Sequence, residues 1–233
     1  MKLNQSAFNM IKPMPPFKAE LRQANRENKK TQTRRVMQPQ PNGCYASRDA
    51  YRLDVDVLGD FIYWDMCIAD GKGFVDEHGD DYRCPYGYPT DLRYMREPLY
   101  HGFGGVAFYK DDDVMVTNLL TGEPITWQWK VETLSQLYMP KIAARTFKRY
   151  DFVRAERLKK ISEDDAKAEG ITLQYPTRDV PGRIGGDVWN YRNAYARLWD
   201  DINAKRGFGW NSNPNVWVIG YHDEFAKDVA YAI

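Results

Sequence analysis

No stretch of this chain approaches the roughly 20 consecutive apolar residues that a membrane-spanning helix needs, so no membrane partner is expected. The opening residues, Met1-Lys2-Leu3-Asn4-Gln5-Ser6, lack the apolar core of a signal peptide. Cysteine is scarce: three residues, an odd number at irregular spacing, which do not make a disulfide framework. A cytoplasmic, reduced protein is the expectation. Charge of one sign is lacking too. With 33 Lys and Arg against 32 Asp and Glu, the net charge is +1, and no global field announces nucleic acid or an anionic membrane. No internal repeat or low-complexity tract occurs. At 233 residues the chain can bury a proper core and falls between one large domain and two small ones.

What is present is segregated charge and many aromatic rings. Residues 18–35 carry seven Lys/Arg against two Glu, and 141–160 carry eight against two acids. Residues 53–82 carry nine acids and one lysine. Such a distribution permits one basic face and one acidic lobe in a nearly neutral protein. Seven Trp, sixteen Tyr and ten Phe supply core and, in part, stacking surfaces. Trp127, Trp129 and Tyr138 are candidates to stack on a base, although alternating Trp-Gln-Trp also fits one buried strand face.

Apolar spacing sketches an α+β chain. Phe17, Leu21 and Ala24, at i, i+4 and i+7 after a Pro-rich opening, predict a short helix ending near Asn28. Residues 31–37 read as extended. The alternation over 51–57 predicts a half-buried strand, with 61–64 as its partner. Segment 92–97 is strand-like up to Pro98, and 106–109 with 114–116 flank Asp111-Asp112-Asp113 as a hairpin. For 146–158, periods of 2 and 3.6 fit equally well. Ser162-Glu163-Asp164-Asp165 predicts a capped helix closed by Gly170. Val188, Tyr191, Tyr195, Leu198 and Ile202 predict one apolar stripe on a helix over 187–203, and 215–221 reads as a strand.

The chemistry concentrates in Lys30-Thr31-Gln32-Thr33-Arg34-Arg35. A lysine three positions before a hydroxyl can activate it as a nucleophile if burial or nearby positive charge depresses the lysine pKa. Two arginines can grip a phosphate or carboxylate bidentately. The alternative is a charged turn leading into a strand. Cys67, His78 and Cys84, with Asp76 or Asp81, could form a zinc clip, but no C-x-x-C pair occurs and lone cysteines are commonly buried small hydrophobes. No metal and no cofactor are expected. The basic run from Lys141 to Lys160 could track a phosphate backbone or form a solvated face.

A helix, then Lys-Thr-x-Thr with following arginines, and later a strand carrying Arg96-Glu97, resembles the ASCH domain, a branch of the PUA-like superfamily. More narrowly, the chain is similar to phage and prophage ASCH-like proteins, through 30–37, 84–87, 93–97, 138–140, 157–170, 198–199 and 213–219. The resemblance implies one PUA-like β-barrel domain over 1–233 with flanking helices. A loop-rich acidic insertion at about 45–90 and a C-terminal helix–strand extension would decorate it. It also implies a protein that binds RNA or a nucleotide in a pocket around Lys-Thr-x-Thr, lined by Arg34, Arg35, Arg96 and His101. Some ASCH proteins remove the acyl group of N4-acetylcytidine and others are described as ribonucleases. Carried over, the catalytic residues of the amidohydrolase branch would be Lys30, Thr33 and Glu97. Thr33 would be the nucleophile, a neutral Lys30 the base, and Glu97 the group that orients Lys30 or acts as the acid. A third alternative is a phage protein that binds a host protein through the acidic insertion.

Overall fold

The structure is a computed structural model and describes residues 5–40, 73–75, 81–173 and 190–224. The expected strands at 51–57 and 61–64, Cys67 and His78, and most of the acidic insertion lie outside these residues. The chain is α+β. Its described residues fall into two compact units. Those up to Asn28, Tyr86–Asp151 and those from Tyr221 onward form the first; Lys29–Pro85 and Phe152–Gly220 form the second.

In chain order the elements are α1 (Gln5–Met10), β1 (Lys12–Pro13), α2 (Ala19–Arg26), β2 (Gln32–Val36), β3 (Gly73–Val75), β4 (Asp81–Arg83) and β5 (Leu92–Tyr94). There follow β6 (Leu99–His101), β7 (Ala107–Tyr109), β8 (Thr133–Leu134), β9 (Phe147–Arg157), α3 (Glu163–Ala168), α4 (Tyr191–Asn203) and β10 (Asn215–Glu224). A five-stranded sheet runs in the order β1-β5-β9-β10-β2. Strand β1 pairs parallel with β5, and β5–β9 and β2–β10 pair antiparallel, with Arg34 opposite Val218. A three-stranded sheet has the order β7-β6-β8, and β3 pairs with β4. Among the described residues no closed barrel forms.

In the first unit, Ala24 is buried and Leu21 half-buried on α2, whereas Phe17, expected on the same helix, is buried but stands before its N-cap Lys18. The expected hairpin is present: β7 ends in a turn over residues 110–113, with Tyr109 N–H bonded to Val114 O and Val116 N–H to Ala107 O. The core gathers Phe8, Tyr94, Leu99, Tyr109, Val116, Leu134 and Phe147. Strand β5 stops at Tyr94, earlier than the apolar pattern suggests, so Arg96 and Glu97 stand in the connection to β6.

In the second unit, α3 begins with the expected capping box: Ser162 Oγ accepts from Asp165 N–H at 3.0 Å and Asp165 Oδ2 from Ser162 N–H at 3.2 Å. Strand β9 settles the ambiguity at 146–158. It is extended for 11 residues because it has strand neighbours on both sides, and ladder pairing on both edges outweighs any helical periodicity. Gly220 in β10 is required by packing, since a Cβ there would lie 2.2 Å from the Phe152 ring.

Helix α4 corrects the expected stripe. Tyr195 and Trp199 are buried and Tyr191 half-buried, whereas Ile202 is 36% exposed and Leu198 only half-buried. The buried line therefore steps by four through Tyr191, Tyr195, Trp199 and Asn203, and Val188 lies outside the described residues. Trp199 packs with Leu158, Ile161, Ala166, Val216 and Val218, and its Nε1–H donates to Phe208 O at 2.7 Å. Trp199→Ala should destabilise the protein by ~3–5 kcal/mol, the range for truncating a large core aromatic. Ile202→Ala should cost far less. Urea unfolding of both variants checks the assignment; equal losses would put the helix's buried face elsewhere.

Candidate functional site

The Lys-Thr-x-Thr-Arg-Arg segment builds a buried charge cluster in the second unit. Side chains along a strand alternate between faces, so Gln32 and Arg34 share one face of β2 and Thr33 and Arg35 the other. Lys30, just before the strand, turns to Glu169, one of the acidic groups that Arg34 meets. Its Nζ donates to Glu169 Oε2 at 2.6 Å and to the carbonyls of Gln32 at 2.7 Å and Glu169 at 2.9 Å. Arg34 reaches Glu169 at 3.2 Å, Glu156 at 2.6 and 2.9 Å, and Asp165 at 3.1 Å. Gln32 Nε2 adds a bond to Asp165, and Arg154 pairs with Glu156 and Asp165. Three cations thus face three carboxylates.

Lys30 is 1% exposed, and burial lowers its pKa against the opposing pull of Glu169. Burial also works against the Arg34 charge, but Glu169 and Glu156 hold that guanidinium firmly protonated. The phenol of Tyr195, buried beside this cluster, is pushed well above its ordinary range by burial first and Glu169 second. Thr33 is buried at 3% exposure and Arg35 is half-buried.

Glu97 belongs to the first unit, where it anchors a guanidinium clamp. Its carboxylate is fully buried and accepts from Arg145 Nε at 2.9 Å, Arg145 Nη2 at 2.7 Å and Arg26 Nη1 at 2.6 Å. Its own N–H faces Met139 Sδ at 3.2 Å. Arg145 lies 3.7 Å over the Tyr109 ring and also reaches Asp112 at 2.7 Å. Arg22 forks onto Asp111 through two bonds of 2.7 Å, and Arg26 reaches the same carboxylate at 3.2 Å. Here too three cations meet three carboxylates. The expected catalytic group is therefore distributed over the two units: Lys30 and Thr33 in the second, with Glu169 as the carboxylate on Lys30, and Glu97 in the first.

The remaining expected binding residues, Arg96 and His101, also fall in the first unit. Arg96 Nη1 donates to Leu137 O at 2.9 Å, while its buried Nε finds no acceptor among the described residues. His101 is exposed and lines an open cleft of about 510 Å³ with Tyr100, Lys110, Asp113, Glu132 and Thr133. Its ring stacks on Trp127 at 5.6 Å and 12°, and Trp127 meets Trp129 edge-on at 4.8 Å. Tyr100 Oη donates to Asp113 Oδ1 at 3.0 Å. Phe103, 96% exposed, sits beside Gly104 and Gly105, whose φ of 74° and 75° glycine adopts freely. Comparison with protein-family models, with curated proteins and with solved structures returned no match. Among the described residues no group of His, Cys, Asp and Glu is arranged to hold a metal ion, and Cys84 is buried.

Sequence reasoning missed Glu169, Asp165 and Glu156 as the partners of the motif. The two-residue period linking Gln32 to Arg34, and the four-residue spacing of Asp165 in α3 and Glu169 at its end, were the available signals. Asp111 and Asp112, read only as a turn, prove to be ligands of three arginines.

The carboxyls of Asp111 and Asp165 sit below their ordinary value of 3.8. Burial opposes this, but Arg22 overrides it at Asp111 and Arg34 at Asp165. Between the lowered pKa and 3.8 the unfolded chain holds more protons than the folded one, so stability rises with pH there. Both contributions are present above 3.8 and lost as pH falls through the lowered values. Urea midpoints should drop between about pH 5 and about pH 2. Arg22→Met should make that acid slope shallower; an unchanged slope would deny the Arg22–Asp111 pair its role.

Proposed function

We propose that this chain is an RNA- or nucleotide-binding protein whose first unit receives a base in the His101 cleft. The cleft itself carries the reading. Its volume of about 510 Å³ lies in the range of small-molecule sites. The His101 ring, backed by Trp127, supplies a flat stacking surface of the kind that single-strand binders use. Lys110 can answer a phosphate or a base carbonyl, and Asp113 and Glu132 can accept from exocyclic amines or ring N–H groups. We read the fold as a PUA-like barrel of the ASCH type and the protein as cytoplasmic and phage-like. That reading is supported by the α+β architecture and by the chain order of Lys30-Thr31-Gln32-Thr33 and Arg96-Glu97.

The test is fluorescence anisotropy with labelled single-stranded RNA. Base–aromatic stacking is worth about 1–3 kcal/mol, so His101→Ala should weaken binding roughly five- to 150-fold. Because His101 is exposed, thermal stability should hardly change. RNA that binds wild type and the variant equally would remove the cleft from the account.

One observation favours a hydrolase acting on an acylated pyrimidine: burial lowers the pKa of Lys30 toward the neutral base such chemistry needs. Against it stand the Glu169 carboxylate on Nζ and the placement of Thr33 on the face of β2 opposite Arg34. Turnover of N4-acetylcytidine by wild type, abolished in Thr33→Ala, is the expected outcome under this reading. Absence of turnover in wild type would retire it.

A further inference from the structure

The Arg26–Arg145 pair has a fixed side and an open side. On the fixed side, both guanidiniums bind the fully buried Glu97 carboxylate, at 2.6 Å from Arg26 and at 2.7 and 2.9 Å from Arg145. Arg145 is further held flat on Tyr109, 3.7 Å from the ring centroid. On the open side, the two side chains keep 18% and 23% of their surface exposed. What answers them there is Asp112, with Oδ2 at 2.7 Å from Arg145 Nη2 and 3.8 Å from Arg26 Nε. Asp112 belongs to the turn over residues 110–113 and is itself 32% exposed. Its neighbour Asp111 is more firmly held, forked by Arg22 and 10% exposed.

We propose that Arg26 and Arg145 form a phosphate-binding site which Asp112 occupies as a displaceable internal ligand. The inference rests on the nucleotide-binding reading for the source of the phosphate, not for the site's geometry. Two guanidiniums pre-oriented by a buried carboxylate and an aromatic face present N–H groups in the fork that suits a phosphate oxygen pair. With Asp112 in place, the charges of Arg22, Arg26 and Arg145 are matched by Glu97, Asp111 and Asp112. Swinging Asp112 out leaves one positive charge unmatched, and a singly charged phosphodiester restores the balance. The exposed ion pair of Asp112 is the weak link, since exposed pairs contribute little. The turn also joins two ligand-facing surfaces: Asp111 and Asp112 face the arginines while Lys110 and Asp113 line the His101 cleft. A nucleotide whose base stacks on His101 would present its phosphate to the same turn.

Isothermal titration calorimetry of the full chain with inorganic phosphate, and separately with a uridine dinucleotide phosphodiester, tests this. Asp112→Asn preserves shape and removes the competing charge. It should bind phosphate about fivefold more tightly than wild type, the upper end of what an exposed pair is worth. Adding Arg145→Lys to Asp112→Asn should erase the gain, because an ammonium lacks the fork. A thermal melt confirms that each variant is folded. Gain with the dinucleotide as well as with phosphate assigns the site to a nucleic-acid backbone, and gain with phosphate alone assigns it to a free anion. Equal or weaker binding by Asp112→Asn, or a gain that survives Arg145→Lys, overturns the proposal. The RNA reading stands or falls separately on His101→Ala.

Discussion

In the second unit, the Glu169 carboxylate lies between the Lys30 ammonium and the Arg34 guanidinium, and the joining of strand β2 to helix α3 depends on it. A lysine withdrawn from water costs several kcal/mol unless its charge is met, and the cost of breaking such a pair exceeds its net worth. The backbone is committed to the same contact. Lys30 bridges Glu169 along the main chain, and Thr31 N–H donates to Ala168 O at 2.8 Å. The pairing also fixes register. A one-residue slip of β2 would carry Arg34 to the opposite face, away from the three carboxylates that it shares with Lys30 and Arg154. The buried pair therefore selects one arrangement of strand and helix, whatever its net contribution to stability. Glu97 does the corresponding work in the first unit, where one carboxylate orders two guanidiniums from α2 and the segment before β9.

Much of the secondary structure was legible because it is written locally. The Ser162–Asp165 box, the helix after the prolines and the turn around Asp111 each have a residue-level signal within a few positions. The type of β9 was not, because strand pairing decided it and its partners β5 and β10 are distant in sequence. That Leu198 is left half-buried and Ile202 exposed on α4 was hidden for a similar reason. Several apolar residues fit more than one stripe, and only the Leu158–Val218 surface chooses among them. As for the site, the sequence singled out Lys30, Arg34 and Glu97, and all three are buried charges. It could not show which acid meets which base. Glu169 lies 139 positions from Lys30, and such a pairing leaves no mark at short range.

The way the chain uses its basic runs limits what electrostatics can contribute to binding. The run over 18–35 is divided: Arg22 and Arg26 serve the first unit's clamp, Lys30 and Arg34 the second unit's cluster. In 141–160, Arg145, Lys148 and Arg154 are likewise paired with carboxylates, Lys148 to Asp223 with its amine fully buried. Arginines and lysines whose charge an internal carboxylate already meets, Arg26 and Arg145 included, hold few counterions to release, even where a phosphate takes that carboxylate's place. Among the described residues, the cation lining the His101 cleft is Lys110, set against Asp113 and Glu132. A single phosphate contact on single-stranded RNA gives a slope of log K against log salt of about −0.7. Stacking, which is indifferent to salt, must then supply most of the affinity at that cleft. The two counts of basic residues in the sequence would have suggested a steep slope. They overstate it because at least seven of those fifteen lysines and arginines close internal ion pairs.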